Sequence, residues 1–227
     1  SIGTLTVDNL QWNSIFSGDL EIGNSGTLRI VNGSDVLTGG SSNIDGIVAV
    51  TGANSTWTNE FFIEVGYSGT GILNISDGGI VNSDDFFDSR IGFFPGATGM
   101  VTVTGIDING MNSRWNTAGL IIGFGGTGTL SVTDLGRVSS TTLTIGSSSF
   151  GQAGTGTLNI ASSGLVDVSS STFVGNGGQG SINFDNGTLT TKTLLVNNFD
   201  QLTGTGIINT KGLVTNGDLS FDQSHGV

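Results

Sequence analysis

The chain has 227 residues, of which 40 are glycine, one is proline and none is cysteine. Eighteen acidic residues against six basic ones give a formal net charge of −12. So few basic residues cannot build the cationic surface that nucleic acid or an anionic membrane requires. The lack of cysteine excludes disulfides and thiolate metal sites, and no apolar run is long enough for a transmembrane helix.

A five-residue unit, glycine–x–apolar–x–apolar, recurs along the whole chain. Its glycines follow one another at intervals of 20 to 29 residues, about 25 on average. They are Gly3, Gly26, Gly46, Gly71, Gly99, Gly128, Gly156, Gly180 and, in a degraded copy, Gly206. Because side chains alternate along a strand, each unit predicts a short strand with its apolar positions facing inward. These positions are Leu5, Val7, Leu28, Ile30, Leu73, Ile75, Val101, Val103, Leu130, Val132, Leu158 and Ile160.

Two further marks divide each unit into three short strands. One is an apolar residue followed by glycine, as in Ile91-Gly92 and Ile122-Gly123; the other is a short apolar alternation, as in Gly164–Val168. A three-strand unit of this length cannot close a core alone, but it buries a continuous column when units stack. Two other all-β folds fit this repeat less well. A β-propeller blade needs about 40–50 residues, and a β-sandwich needs hairpins.

The repeat therefore predicts an all-β fold, a right-handed parallel β-helix of about nine coils with three strands each. We expect a single β-solenoid domain over residues 1–227, with degraded terminal coils from about 180 to 227.

The coils fall into two sequence types. One has VTVTG at Val101–Gly105 followed by Asn112–Trp115, and the other has LNISDGGIV at Leu73–Val81. This pairing resembles the repeats of bacterial autotransporter passengers, roughly from Gly3 to Gly180. The resemblance implies an exported, cysteine-poor protein of adhesive or structural role, and it carries over no catalytic residue.

Acidic residues cluster at Asp84, Asp85 and Asp88, with Asp77 shortly before them. These residues indicate either a solvated turn or a weak Ca²⁺ site. The second interpretation is open because hard cations prefer several oxygen ligands. The spacing does not match the Ca²⁺-binding nonapeptide repeat. Arg90 is the only basic residue nearby, which argues against cleavage of acidic sugars.

Other catalytic and cofactor chemistry lacks its usual residues. His225 is the single histidine and lies near the C-terminus. Histidine-based triads and transition-metal sites need more histidine or cysteine than the chain has. We therefore expect no enzymatic activity and no cofactor other than the Ca²⁺ candidate.

The aromatic residues allow two interpretations, a surface patch or packing at a corner of the core. Trp57 and Trp115 occupy matched positions two coils apart and, if exposed, would suit stacking on sugar rings. Phenylalanine occurs in three adjacent pairs in neighbouring coils, Phe61-Phe62, Phe86-Phe87 and Phe93-Phe94. In a strand, one member of each pair must face outward or lie in a turn. Exposed apolar patches commonly mark contact surfaces. The candidate patch is Trp57, Phe61, Phe62, Phe86, Phe87, Phe93, Phe94 and Trp115.

The ends show no helix-like cap, although terminal coils expose strand edges that invite pairing. The chain starts at Ser1 without a signal peptide, which indicates a processed chain or an excised piece of a longer solenoid. If the ends are natural, head-to-tail stacking would build a filament. The residues assigned to such assembly are Leu5, Val7, Ile207, Ile208 and Phe221.

Together these features predict a non-enzymatic extracellular protein of the bacterial cell surface. It would be a rigid rod that polymerises head to tail or serves as an adhesin stalk, with a carbohydrate or another cell-surface molecule as possible ligand. The alternative is a carbohydrate-binding or carbohydrate-cleaving β-helix, which would place acidic residues beside outward-facing rings in one groove.

Overall fold

The protein is described here from a computed structural model, which covers residues 3–10, 18–83 and 86–215. Over these residues it is an all-β parallel solenoid of about 8 turns, so the predicted fold class is confirmed with slightly fewer turns than expected. Three stacked columns of strands, faces A, B and C, form its sides. One short 3-10 helix, Phe199–Gln201, precedes the last strand.

Each face is a parallel ladder. Face A contains β1 (Gly3–Asp8), β3 (Gly26–Val31), β6 (Ile47–Thr51), β9 (Thr70–Ser76), β12 (Thr98–Thr104), β15 (Thr127–Thr133), β19 (Thr155–Ala161) and the first parts of β21 (Gln179–Val196) and β22 (Leu202–Thr215). Face B contains β4 (Asp35–Thr38), β7 (Thr56–Asn59), β10 (Ile80–Ser83), β13 (Arg114–Asn116), β16 (Arg137–Ser140), the start of β20 (Leu165–Asn176) and the middle of β21 and β22.

Face C contains β2 (Leu20–Ile22), β5 (Ser42–Ile44), β8 (Ile63–Val65), β11 (Asp88–Ile91), β14 (Gly119–Ile122), β17 (Thr142–Ser149) and the last parts of β20, β21 and β22. The short strand β18 (Gln152–Ala153) pairs antiparallel with the end of β17 and forms a projecting hairpin.

The repeat glycines stack in register, as their spacing predicts. Gly99 aligns with Gly71 in the previous turn and with Gly128 in the next, and Gly156 aligns with Gly180. The apolar positions that follow them are buried in every interior turn. Leu5 is the exception at 50% exposed, because its strand pairs only with β3 among the described strands.

The prediction that the unit at Gly206 continues the column of face A strands is wrong. Ile182 pairs with Leu202, whereas Ile207 and Ile208 pair with Thr188 and Leu189 on face B. The final turn needs only 20 residues between Ile182 and Leu202, shorter than the expected period. The unit at Gly206 therefore matches the motif by sequence, but it does not continue the column of repeat glycines.

The two tryptophans belong to the core, so their assignment to a surface patch is wrong. Trp57 and Trp115 are fully buried on the inner side of face B. Val81 lies between them in register, and its small side chain leaves room for an indole in the turn on either side. Trp57 Nε1 donates a hydrogen bond to Thr38 Oγ1 at 3.0 Å.

A column of buried hydroxyl and amide groups lies inside the corner between faces B and C. Ser42 Oγ donates to Asn59 Oδ1 at 2.5 Å, and Ser83 and Ser89 share a hydrogen bond of 3.0 Å. Thr117 Oγ1 donates to Ser89 Oγ at 3.2 Å. The interior is thus not purely aliphatic, and these groups form hydrogen bonds with one another within and between turns, as buried polar groups usually do.

The two indoles provide a test of this packing. Trp115 Nε1 is buried and has no hydrogen-bond partner among the described residues, unlike that of Trp57. We expect Trp57→Phe to cost about 1 kcal/mol more stability than Trp115→Phe, because only the former breaks a buried hydrogen bond. Urea unfolding of both variants measures the difference. An equal or larger loss for Trp115→Phe would contradict the assignment.

Candidate functional site

Aromatic side chains gather along the outside of face C and form the candidate site, here called the aromatic surface. It consists of Phe61, Phe62, Tyr67, Phe86, Phe87, Phe93, Phe94, Phe124 and Phe150. The Phe61-Phe62 and Phe86-Phe87 pairs lie in loops that lead into β8 and β11. Tyr67, Phe93 and Phe124 follow the glycines that come directly after β8, β11 and β14, and Phe150 lies at the tip of the β17–β18 hairpin.

The rings stack because the turns that carry them stack. Tyr67 and Phe93 have centroids 5.5 Å apart with planes 11° from parallel, and Phe93 and Phe124 are 5.3 Å apart at 16°. Phe61 and Phe87 form a second stack at 5.5 Å and 22°. Such offset stacks contribute stability beyond the burial of area.

Arg90 occupies the space between the two stacks. It points outward from β11, and its guanidinium carbon lies 5.4, 5.2 and 5.1 Å from the ring centroids of Phe62, Phe93 and Phe124. These distances are in the range of cation–π interactions. Arg90 Nη1 also donates a hydrogen bond to Glu64 Oε1 at 2.7 Å. Glu64 lies on β8, at the position in register with Arg90 on β11.

The carboxylate of Glu64 is buried beneath this cluster. Burial raises the pKa of Glu64 above its ordinary value, and the hydrogen bond and positive charge of Arg90 offset only part of that rise. A carboxylate in such a place is costly unless it stays paired. The ion pair and the rings therefore form one unit, in which the rings exclude water from the charges.

The aromatic surface is open to solvent mainly at its outer side. Phe86 is 87% exposed, Phe150 57%, Phe87 45% and Phe61 38%. The remaining rings are half-buried against one another. The outer rings are thus available to a partner, whereas the inner rings are already packed around Arg90.

Both interpretations of the phenylalanine pairs hold in part. The six predicted phenylalanines lie together outside the core, some exposed and some packed. Sequence reasoning missed Tyr67, Phe124, Phe150 and the Glu64–Arg90 pair. A signal existed for two of them, because Tyr67 and Phe124 occupy the same place after an apolar–glycine mark as Phe93 does.

The acidic candidates are only partly described. Asp88 begins β11 and is half-buried, whereas Asp84 and Asp85 lie outside the described residues, as does His225. Over residues 3–10, 18–83 and 86–215, no group of three or more His, Cys, Asp or Glu side chains could hold a metal ion. The Ca²⁺ site remains a prediction.

The residues predicted for assembly lie at opposite ends of the solenoid. Leu5 and Ile207 are half-exposed or more, Val7 is buried, and Ile208 packs against the core. Phe221 lies outside the described residues. Among the described strands, β1 pairs only with β3 and β22 only with β21.

The fold and the aromatic surface define a parallel β-solenoid with a ring cluster on one face, and comparison with known proteins adds one relative. The chain is 30% identical over 153 residues to the uncharacterized lipoprotein YdeK of Escherichia coli K12. The match covers 61% of this chain but only 11% of that protein. No family model matches the chain, and no solved structure matches it either. Within the described part of the chain, no helix has the length and apolar character needed to cross a bilayer.

Proposed function

We propose that this chain is a non-enzymatic structural or adhesive element of the bacterial cell surface. It acts as a rigid solenoid rod that stacks end to end into a filament or serves as the stalk of an adhesin. The observation that carries the proposal is the continuous strand pairing along the three ladders, in which each described turn is held by its neighbours. The resemblance to autotransporter passenger repeats and the similarity to a lipoprotein support a place in the cell envelope.

The stacked geometry is well suited to a spacer. About 8 turns at a strand spacing of about 4.8 Å make a rod about 38 Å long. Parallel ladders on three sides resist bending, since any bend would stretch main-chain hydrogen bonds on one side.

The rod and its assembly can be examined with the purified full chain. Small-angle X-ray scattering is expected to give an elongated particle, and negative-stain electron microscopy should show either separate short rods or filaments. Antibody labelling of intact cells of the source organism should place the protein on their surface. A round particle, an interior location or hydrolysis of a polysaccharide would each contradict the proposal.

End-to-end stacking makes a specific prediction for the first strand. Leu5→Lys places a charge on the exposed edge coil, so we expect filaments to shorten or disappear, because a charge buried in the contact is costly. Met100→Lys is the matched control, because Met100 is 39% exposed but lies on the outer side of interior strand β12. Electron microscopy of both variants measures filament length. Equal filaments in both would contradict stacking through β1.

A further inference from the structure

One corner between faces A and B carries a loop that the neighbouring turns lack. The connection from β12 to β13 spans residues 105–113, whereas the equivalent connections in the turns before and after it span 77–79 and 134–136. We call residues 106–112 the corner loop. Ile108 at its tip is 98% exposed, and Ile106 and Met111 beside it are 41% and 51% exposed. Single apolar residues on a surface are ordinary, but three in one loop form a patch.

Hydrogen bonds hold the corner loop in one conformation. Asp107 Oδ1 accepts from the main-chain amides of Asn109 and Met111, both at 2.8 Å. The amide of Asp107 donates to the carbonyl of Met111 at 2.9 Å, and that of Gly110 donates to the carbonyl of Asp107 at 3.0 Å. The bond from the Met111 amide, together with that from Asn109, holds the pKa of Asp107 below its ordinary value. Because the loop is already ordered, a partner would lose little entropy in fixing it.

The corner loop is also fixed to the turns on both sides of it. A Cβ built on Gly78 in the preceding turn would lie 2.6 Å from the Cβ of Asp107, so the loop rests directly on that glycine. Towards the following turn, Asn112 Nδ2 donates to the carbonyl of Leu135 at 2.7 Å. This contact brings Leu135, which is 45% exposed, beside the loop.

Leu135 is an unusual residue for its position. It has a left-handed φ of 67°, which is unfavourable for a bulky side chain. Gly78 and Ser163 hold the equivalent place, two residues before the aligned outward positions of face B. Strained conformations persist mainly where surrounding structure enforces them, and they cluster at functional sites. An exposed leucine here therefore points to a contact surface.

Two arginines adjoin this patch. Arg114 and Arg137 are in register on β13 and β16, both on the outer side of face B. Arg114 Nε lies 3.5 Å from the carbonyl oxygen of Asn112, which places its side chain against the corner loop. Neither arginine forms a salt bridge with any residue in the described ranges 3–10, 18–83 and 86–215. Like charges on adjacent strands repel each other, and an anion bound between them would relieve the repulsion.

Together these residues form one patch, here called the corner surface, which consists of Ile106, Ile108, Met111, Arg114, Leu135 and Arg137. We propose that the corner surface binds an acidic, aliphatic segment of another protein, whose apolar side chains pack on the aliphatic residues and whose carboxylates pair with the two arginines. This inference deepens the proposed adhesive role and rests on it.

Two other occupants fit the corner surface less well. Lateral approach of a second copy would bring together two net charges of −12. A sulfated polysaccharide would match the arginines, but it would place polar hydroxyl groups against the exposed aliphatic side chains.

Fluorescence anisotropy with three labelled peptides tests the proposal on the full chain at about 0.15 M salt, where surface charges are partly screened. The first peptide interleaves glutamate and leucine with glycine, the second replaces each glutamate with glutamine, and the third replaces each leucine with serine. We expect the first peptide to bind about tenfold more tightly than either of the others.

Variants of the corner surface should separate its two contributions. Ile108→Ser should lose about fivefold in affinity for the glutamate–leucine peptide, because it removes the most exposed apolar side chain. Arg114→Gln/Arg137→Gln should lose about tenfold and should bind the glutamate and glutamine peptides equally.

Arg29→Gln/Lys192→Gln is the matched control for the arginine pair. It removes the same two positive charges, but from exposed side chains on β3 and β21. It should keep both the affinity and the preference for glutamate. Circular dichroism and the melting temperature establish that each variant is folded.

The assignment would be overturned by equal affinity for the glutamate and glutamine peptides, by no binding of any peptide, or by full binding in the variants of the corner surface. Binding of heparin that the arginine double variant loses and Ile108→Ser retains would identify a sulfated polysaccharide instead. Dimerisation that Ile108→Ser abolishes would identify a second copy. An elongated particle that fails to bind the peptides contradicts only this inference, whereas a round particle contradicts the proposed function.

Discussion

Alanine in place of Gly99 is expected to destabilise the protein by about 3 kcal/mol or more, one of the largest effects that a single methyl group can have here. A Cβ built on Gly99 overlaps the carbonyl oxygen of Val65 and comes close to the amide nitrogen of Gly92 and to the side chain of Ile91. The first two of these neighbours, the carbonyl oxygen of Val65 and the amide nitrogen of Gly92, are main-chain atoms. No side-chain rotation can therefore relieve the overlap.

Gly99 and Gly92 show why the two glycine marks recur together. Gly92 has a φ of 75°, a conformation that favours glycine, and a Cβ there would overlap the carbonyl oxygen of Thr127. The two glycines therefore meet at the corner between faces C and A, where the backbones of adjacent turns approach closely. Gly128 and Gly123 repeat the arrangement one turn later.

Gly23→Ala is the matched control for Gly99→Ala. Gly23 follows an apolar residue in the same way, but a Cβ there meets no atom of the described residues within 4 Å and its φ is not positive. We expect its stability to stay within about 0.5 kcal/mol of the wild type. Urea unfolding of the two variants measures the contrast, and similar losses for both would show that the corner tolerates a side chain.

Arg90→Met is expected to cost about 3–5 kcal/mol, because it leaves the buried carboxylate of Glu64 without its positive partner. The double variant Glu64→Leu/Arg90→Met should recover most of this loss, since apolar side chains of similar size can replace a buried ion pair at little cost. Thermal and urea unfolding of the single and double variants measure both effects. A double variant as unstable as the single one would mean that cation–π packing, rather than the unpaired charge, dominates.

The same variant should respond to pH in a defined direction. In the wild type the pKa of Glu64 is raised, so the folded state binds this proton more readily than the unfolded state does. Stability from this group is therefore present at low pH and declines as pH rises through the raised pKa. Without Arg90 the pKa of Glu64 rises further, because its two lowering contributions are removed.

We therefore expect the stability deficit of Arg90→Met relative to the wild type to shrink as pH falls from about 7 towards 5, where protonation neutralises the buried carboxyl group. Urea unfolding of both proteins across this range isolates the difference from carboxylates that they share. A deficit that does not change with pH would contradict a buried, charged Glu64.

The sequence by itself determined that the chain winds into a β-solenoid, and it determined most of the positions that face the core. Glycine spacing and the alternation of apolar residues are local patterns, and they align Gly71, Gly99 and Gly128 as the structure does. The pattern failed at Gly206, because a shorter last turn shifts that unit to another face without altering its local motif.

Only the tertiary structure decided what the aromatic and charged residues do. Whether Trp57 faces the core depends on which side chains lie above and below it, and here Val36 and Val81 in the adjoining turns leave it room. Glu64 and Arg90 are 26 positions apart, and only the register of β8 with β11 brings them together. Stacking between turns is non-local, so the alternation within one strand cannot specify which residues meet across it.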